Sequence, residues 1–379
     1  MALPVETYIS RKLDEKKRAH NFRCLTLIKS SVDFTSNDYL GLARDITLKN
    51  EIIREFEADE TLRNGSTGSR LLSGNSSHAE ELEKEIARFH NAEAALLMNS
   101  GFDANYGLLS SLPYRGDTVL YDEAVHASIH DGMRRSKARC IPFRHNSPDD
   151  LASKLSEAEG LSYVVVESLY SMEGDFAPLE KIADLCAHHR AALIVDEAHA
   201  TGLFGQQGSG RVCELGLERA CFARIVTYGK AAGVAGAAVL GSASLKEFML
   251  NYCRPLIFST AMMPYQLVSI RCAYRAMAKA DQARSRLFSI ISYYRESMRK
   301  AGLPLPADPK SPIQIIPVHG NEKALALAAY LQQQDLDVRA IRYPTVSAGN
   351  ERLRICLHSF NEAKQIDELV KHLQIFFHA

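Results

Sequence analysis

The chain has 379 residues, of which 46% are hydrophobic and 24% are charged, as in ordinary globular proteins rather than disordered or fibrous ones. Its 45 Lys and Arg residues balance its 45 Asp and Glu residues, which argues against an overall basic field for nucleic acid or an anionic membrane. A small molecule is therefore the expected partner.

The N-terminal segment is charged and lacks the apolar core of a signal peptide. No later apolar run approaches the roughly 18 residues that cross a bilayer. The eight cysteines form neither a CxxC pair nor a His/Cys ligand spacing. We therefore expect a cytoplasmic protein with reduced thiols and no bound metal.

Apolar runs alternate with helical patterns through the middle of the chain. A capping box of Ser77 and Glu80, followed by Leu82, Ile86 and Phe89 at helical spacing, predicts a helix. The strand-like runs that follow lie at 94–98, 118–122, 139–143, 163–168, 192–199, 224–230 and 236–242.

Continuous apolar strands separated by helices predict an α/β fold with a mostly parallel sheet covered on both faces. One of the intervening helices is predicted over 178–190, where Pro178 suits the first turn. After residue 264 the pattern becomes helical and then mixed, with strand-like runs at 312–318, 337–343 and 352–358 and a helix around 324–334. We expect an N-terminal segment (1–46), a large domain (47–285) and a smaller C-terminal α+β domain (286–379).

Polar side chains stand at the ends of three predicted strands. Asp196 and His199 close one run, Thr227 and Lys230 close another, and Ser171 follows a third. Ligands of open parallel sheets bind at the carboxyl ends of the strands. If the sheet is parallel, these side chains meet in one crevice.

Lys230 is followed almost entirely by glycine, alanine and valine, which leaves space for a bulky ligand. A desolvated lysine loses its proton more easily, and its amine then condenses with an aldehyde. Pyridoxal phosphate needs such a lysine, an acidic partner for its ring nitrogen and donors for its phosphate. Asp196 is the candidate acidic partner, and His199 is the candidate partner of the phenolic oxygen.

The phosphate has candidate donors in Gly101 and Phe102, which follow a strand and open a helix and so present free backbone N–H groups. Thr227 offers a hydroxyl to the same group, and His126 could lie flat on the ring.

Each of these residues has an ordinary explanation when taken alone. A single lysine is usually solvated, a single histidine is usually structural, and the DEAH quartet at 196–199 also occurs in nucleotide-dependent helicases. No GxxxxGK[ST] loop precedes the quartet, which argues against a helicase. The ordered set as a whole indicates a pyridoxal-phosphate site.

The same residues lie in a series of longer motifs. They are SNDYLGLA (36–43), GSTGSRLLSG (65–74), NSGFDAN (99–105), HASIHDG (126–132), SMEGD (171–175), VDEAHATGLFG (195–205), TYGKAAGVAGAAVLGS (227–242) and FSTAMMP (258–264). Over nearly the whole chain this series resembles the α-oxoamine synthases, pyridoxal-phosphate acyltransferases of the aspartate-aminotransferase fold (fold type I).

The resemblance implies roles for individual residues. Lys230 would hold the cofactor as an imine and act as the base, and His126 would stack on the ring. The implied cofactor site is completed by Asp196, His199, Ser171, Thr227 and the backbone of Gly101 and Phe102, and the implied substrate contacts are Arg23, Asn37, Ser69, Thr345 and Arg354. These enzymes are homodimers with shared active sites, so Thr260 would reach the phosphate of the neighbouring subunit.

Within the family, the chain looks most like the branch that joins L-alanine to a pimeloyl thioester in biotin synthesis. Ser69 replaces a threonine of the glycine-specific aminolevulinate branch and leaves room for alanine, although one methyl group discriminates by only about 1–3 kcal/mol. The branch that joins glycine to acetyl-CoA is the alternative. A simple aminotransferase and a non-catalytic protein of the same fold are further alternatives, and the thioester carrier stays open.

Overall fold

The computed structural model of the protein describes residues 3–25, 27 and 30–378. The chain divides into two compact units. The smaller unit contains Met1–Ser36, Met172–Gly174 and Arg286–Ala379, and the larger unit contains Asn37–Ser171 and Asp175–Ser285.

The strands of the described residues are short and form three sheets. In chain order they are β1 (Val32–Asp33), β2 (Ala94–Met98), β3 (Thr118–Asp122), β4 (Arg139–Phe143), β5 (Ser162–Glu167), β6 (Ala192–Asp196), β7 (Cys221–Thr227), β8 (Ala237–Gly241), β9 (Ile313–Pro317), β10 (Leu336–Asp337), β11 (Arg339–Ile341) and β12 (Arg352–Cys356).

The helices alternate with these strands in the larger unit. In chain order they are α1 (Pro4–Arg18), α2 (Ile46–Ala58), α3 (Ser77–Phe89), α4 (Gly101–Ser111), α5 (Ala127–Arg135), α6 (Pro148–Leu155), α7 (Leu179–His189), α8 (Arg211–Glu214), α9 (Ala243–Tyr252), α10 (Arg254–Ile257), α11 (Pro264–Ala278), α12 (Asp281–Lys300), α13 (Asn321–Gln333) and α14 (Ala363–His378). Short 3-10 turns lie at Leu42–Arg44 and Gln206–Gly208.

The larger unit is built on a seven-stranded sheet in the order β2-β8-β7-β6-β5-β3-β4. The strands β7, β6, β5, β3 and β4 are parallel to one another, whereas β8 is antiparallel to both β7 and β2. The prediction of a mostly parallel α/β sheet is confirmed. β8 runs the other way because the chain turns back directly after β7, where the N–H of Tyr228 donates to the carbonyl of Gly236 at 2.9 Å.

The apolar strand residues form the core of the larger unit. Val164, Ile194 and Ile225 on three adjacent strands are fully buried, as expected of a sheet with both faces covered. Each such side chain contributes about 1.5–3 kcal/mol relative to its exposure to water. This core fixes the strand ends that carry the polar residues.

Two predicted helix starts differ from the structure by one residue. The cap of α3 is Ser76, whose hydroxyl accepts from the N–H of Ala79 at 3.2 Å, and Ser77 is the first helical residue. The predicted capping box is therefore wrong in its first member. Ser76 takes that place because its backbone is extended, as a capping residue requires. Pro178 is likewise the N-cap residue that directly precedes α7, instead of lying in its first turn.

The smaller unit contains a three-stranded antiparallel sheet, β11-β12-β9, and the parallel pair β1-β10. The single run predicted at 337–343 divides between two sheets, because Asp337 pairs with Asp33 whereas Arg339 pairs with Arg354. Among the described residues, no helix is long and apolar enough to cross a membrane.

Candidate active site

A crevice of about 420 Å³ lies at the carboxyl edge of the large sheet, a volume typical of small-molecule sites. Its lining is drawn from the segments that follow β2, β3, β5, β6 and β7, all of which end at this edge. The predicted site residues that line it are Asn37, Gly101, Phe102, His126, Asp196, His199, Thr227 and Lys230.

Lys230 lies in the nine-residue connection (228–236) between β7 and β8 and is half-buried. The small residues after it are required by close packing. Gly233 has φ +69°, and a Cβ there would lie 2.3 Å from the backbone nitrogen of Ala43. Ala231 and Ala232 are buried directly after the lysine. The connection therefore holds the lysine at the crevice by backbone packing that larger side chains would disrupt.

The first turn of α4 forms one end of the crevice. Ser100 caps this helix by accepting the N–H of Asp103 at 3.0 Å, while the N–H groups of Gly101 and Phe102 have no partner within the helix. A Cβ at Gly101 would lie 2.4 Å from Cγ2 of Thr227, so only glycine fits at this approach.

Thr227 is nine-tenths buried, and its hydroxyl has no hydrogen-bond partner in the described part of the chain. A buried hydroxyl without a partner is costly. A phosphate at the positive end of α4 would accept from this hydroxyl and from the free N–H groups of Gly101 and Phe102. These donors fit the phosphate of pyridoxal phosphate.

Asp196 ends β6 and is 5% exposed. Its Oδ1 accepts the N–H of Ala198 at 2.8 Å, and its Oδ2 accepts the side-chain amide of Asn105 at 2.7 Å. These two hydrogen bonds hold the carboxylate in one orientation at the crevice that it lines.

His126 caps α5, because its Nδ1 accepts the backbone N–H of Ser128 at 3.2 Å. Burial lowers the pKa of His126; the charge of Asp196 raises it in part, and that of Lys230 lowers it further. The imidazole is accordingly neutral near pH 7.

His199 contacts a residue that sequence reasoning did not single out. Its Nδ1 lies 2.7 Å from the hydroxyl of Tyr39, which is fully buried and also donates to Oδ1 of Asn37 at 3.2 Å. Tyr39 thus joins two residues of the crevice. It lies within the SNDYLGLA motif, which was its available signal.

Three other predicted residues of the larger unit lie outside the described lining of the crevice: Ser171, Thr260 and Ser69. Ser171 is buried, and its N–H donates at 3.3 Å to Glu167, which does line the crevice. The carbonyl of Thr260 accepts from the crevice residue Asn99 at 3.0 Å.

The remaining predicted substrate residues belong to the smaller unit. The guanidinium of Arg23 donates to the hydroxyl of Thr345 at 3.3 Å, so the structure brings these two together. Arg354 lies on β12, half-buried, with its guanidinium 2.9 Å from the sulfur of Cys356.

One group of potential metal ligands lies outside the crevice. The ligand atoms of Glu51, Glu55 and Cys272 lie within 4.8 Å of one another. The guanidinium of Arg275 donates to all three. It supplies the positive charge that a cation would bring, so we interpret the group as an ion-pair network between α2 and α11.

Residues that sequence reasoning missed include Asn105, Ser128 and Glu167. Asn105 is one helical turn after Gly101, so both lie on the same face of α4. That spacing was the sequence signal for Asn105. Ser128 lies within the HASIHDG motif, which was its available signal. Glu167 gave none, since an acidic residue at a strand end is common.

Comparisons with known proteins agree on one family. The model of the aminotransferase class I and II family matches residues 29–373. An 8-amino-7-oxononanoate synthase of Emericella nidulans is 40% identical, covering 92% of this chain and 90% of its own length. A structure of serine palmitoyltransferase from S. paucimobilis, with a pyridoxal-phosphate adduct, is 26% identical with TM-score 0.89, covering 100% of this chain and 99% of that one. A crystal structure of 8-amino-7-oxononanoate synthase from Francisella tularensis is 28% identical with TM-score 0.79, covering 92% of this chain and 98% of that one.

Proposed function

We propose a function from the premise that the chain belongs to the aminotransferase class I and II family: it joins an amino acid to an acyl thioester with loss of carbon dioxide. The predicted resemblance to α-oxoamine synthases, the fold-type-I class and the cofactor are confirmed by the family match and the relatives. The chain is a pyridoxal-phosphate enzyme of the α-oxoamine synthase type.

The finer proposal names the substrates. We take L-alanine and a pimeloyl thioester as substrates, with 8-amino-7-oxononanoate as the product for biotin synthesis. The support is that relatives covering nine-tenths of the chain carry this enzyme name. A cytoplasmic location stays a prediction from the sequence.

One observation carries the chemistry: Lys230, Asp196 and His126 line the same crevice as the free donors at the start of α4. Pyridoxal phosphate, when bound, supplies an aldehyde for the lysine and a ring that accepts the electrons left when a bond at Cα of the amino acid breaks. Asp196 keeps the ring nitrogen protonated, and His126 provides a neutral surface. Lys230, in a partly desolvated turn, moves the proton at Cα through its amine nitrogen.

The substrate residues are proposed from the family resemblance. Arg354 would bind the carboxylate of the amino acid, since a guanidinium matches that group with two parallel hydrogen bonds. Asn37 would contact substrate from the crevice lining, and the paired Arg23 and Thr345 would contact the acyl substrate or its carrier. Ser69 would set the size of the amino-acid side chain.

We further propose a homodimer with shared active sites. The loop at 65–74 lies against the segment before α11, since the N–H of Ala261 donates to the carbonyl of Gly68 at 3.0 Å. Around this contact Leu72 is 86% exposed and Phe258 is 70% exposed. Exposed apolar clusters mark protein–protein interfaces. A second copy seated there would bring Thr260 towards the phosphate of the opposite crevice.

The test incubates the purified protein and pyridoxal phosphate with alanine, glycine or serine against pimeloyl- and acetyl-thioesters. Release of free thiol and of carbon dioxide is measured for each pair. We expect turnover with alanine and the pimeloyl thioester, none with Lys230→Ala, and wild-type rates with Lys181→Ala, an exposed lysine of α7. Preference for glycine and acetyl-CoA would replace the substrate proposal, and stable conversion of the cofactor to pyridoxamine phosphate would indicate an aminotransferase.

A further inference from the structure

Asn105 occupies a central position among the polar residues of the crevice. It lies on α4 and is 3% exposed. Its side-chain nitrogen lies 2.7 Å from Oδ2 of Asp196 and 3.1 Å from Oγ of Ser128. An amide nitrogen carries two hydrogens, and two acceptors at these distances use both of them. The amide orientation is therefore determined by its partners.

Ser128, which accepts the second of these hydrogen bonds, also contacts His126. Because Oγ of Ser128 accepts from Asn105, its own hydrogen is free to point at Nδ1 of His126, 2.8 Å away. The backbone N–H of Ser128 points at the same nitrogen. Two donors directed at Nδ1 leave it without a proton, so the neutral ring carries its hydrogen on Nε2. The lowered pKa of His126, caused mainly by burial, agrees with a neutral ring.

We propose that Asn105 is a positioning residue that uses its two amide hydrogens to hold the Asp196 carboxylate and, through Ser128, the His126 imidazole in the orientations that receive the cofactor ring. The inference rests on the cofactor assignment and not on the choice of amino acid or thioester.

The chemistry of an amide suits this position. Two acceptors, a carboxylate and a hydroxyl, converge on one buried point, and a neutral group with two donors satisfies both. A leucine of similar size satisfies neither, and a buried acceptor without a donor is costly. Asn105 is also one turn after Gly101, so the helix that presents N–H groups to the phosphate holds the ring partners as well.

The experiment measures equilibrium affinity of the apo-protein for pyridoxal phosphate and for an analogue with carbon in place of the ring nitrogen. The affinity for pyridoxal phosphate divided by the affinity for the analogue reports how well Asp196 is directed at the ring nitrogen, because only pyridoxal phosphate has that nitrogen. Wild type, Asn105→Leu and Ser128→Ala are compared, and circular dichroism checks their folding. Ser128→Ala is the matched control because it breaks the contact to His126 and leaves the bond between Asn105 and Asp196.

We expect Asn105→Leu to reduce this ratio at least tenfold, since a hydrogen bond to a charged group is involved, and Ser128→Ala to leave it within threefold. A merely structural role for Asn105 would lower both affinities together, and an unchanged or larger ratio would overturn the proposal. Wild type that binds neither compound would instead refute the proposed function.

A second measurement needs no variant at Asn105. Nitrogen-15 NMR of histidine-labelled apo-protein, with the His126 signal assigned through its loss in His126→Gln, reports which ring nitrogen is protonated. The expected result is hydrogen on Nε2 alone. A proton on Nδ1 would contradict the hydrogen-bond directions from which the role of Asn105 is inferred.

Discussion

His145 is held between two carboxylates at the carboxyl edge of the large sheet. Its Nδ1 lies 2.8 Å from Asp122, which is fully buried, and its Nε2 lies 3.0 Å from Asp175. Burial alone lowers the pKa of His145, but hydrogen bonds to both carboxylates and their charges outweigh it and raise the pKa to about 10. The imidazolium, just after β4, therefore joins the end of β3 to Asp175 within the larger unit.

The magnitude of its contribution follows from linkage. A rise from 6.5 to about 10, at about 1.4 kcal/mol for each pKa unit, gives an upper bound of roughly 5 kcal/mol. The side chain is 23% exposed, so solvent partly screens these interactions. We therefore expect His145 to contribute about 2–3 kcal/mol to the free energy of unfolding. A histidine with a raised folded-state pKa contributes this stability fully below its unfolded pKa and loses it as pH rises through its folded pKa.

The variant His145→Gln tests this reasoning in the apo-protein. Free energies of unfolding are obtained from urea titrations at several pH values between 6 and 10. The variant should be less stable by about 2–3 kcal/mol at pH 6, and the difference should shrink below about 1 kcal/mol near pH 10. The control His188→Gln, at an exposed position of α7, should differ from wild type by less than about 0.5 kcal/mol throughout. A stability difference for His145→Gln that stays constant or grows with pH would refute stabilisation by a protonated His145 between the two carboxylates.

Two further predictions concern the cofactor and the dimer. Gly101→Ala places a Cβ about 2.4 Å from the stiff, β-branched Thr227, so we expect cofactor affinity of the apo-protein to fall at least tenfold in a spectroscopic titration. Lys181→Ala, at an exposed position of α7, should leave the affinity unchanged, and equal affinities for both variants would contradict the assigned phosphate site. Leu72→Asp puts a charge on the proposed interface and should shift the mass measured by light scattering from that of a dimer to that of a monomer. The control Leu161→Asp, also at an exposed leucine, should leave the mass unchanged. Dimers in both variants would place the interface elsewhere.

The sequence by itself determined the fold class and the chemistry of the crevice. Runs of β-branched and apolar residues predict buried parallel strands, because both faces of such a sheet must be covered. Polar residues at the strand ends then converge, and Lys230 with Asp196 identifies the cofactor. These signals are local in the chain, or they follow from the single fact that parallel strands end at one edge.

Tertiary structure alone decided how the reactive groups are held. Asn105 reaches Ser128 and Asp196 across 23 and 91 residues of sequence, and His145 meets Asp122 and Asp175 in the same way. No local pattern encodes such contacts, because they depend on which helix faces which strand end once the core has packed. The position of Ser171 outside the crevice lining has the same origin, because the direction of its side chain is set by packing between segments far apart in sequence.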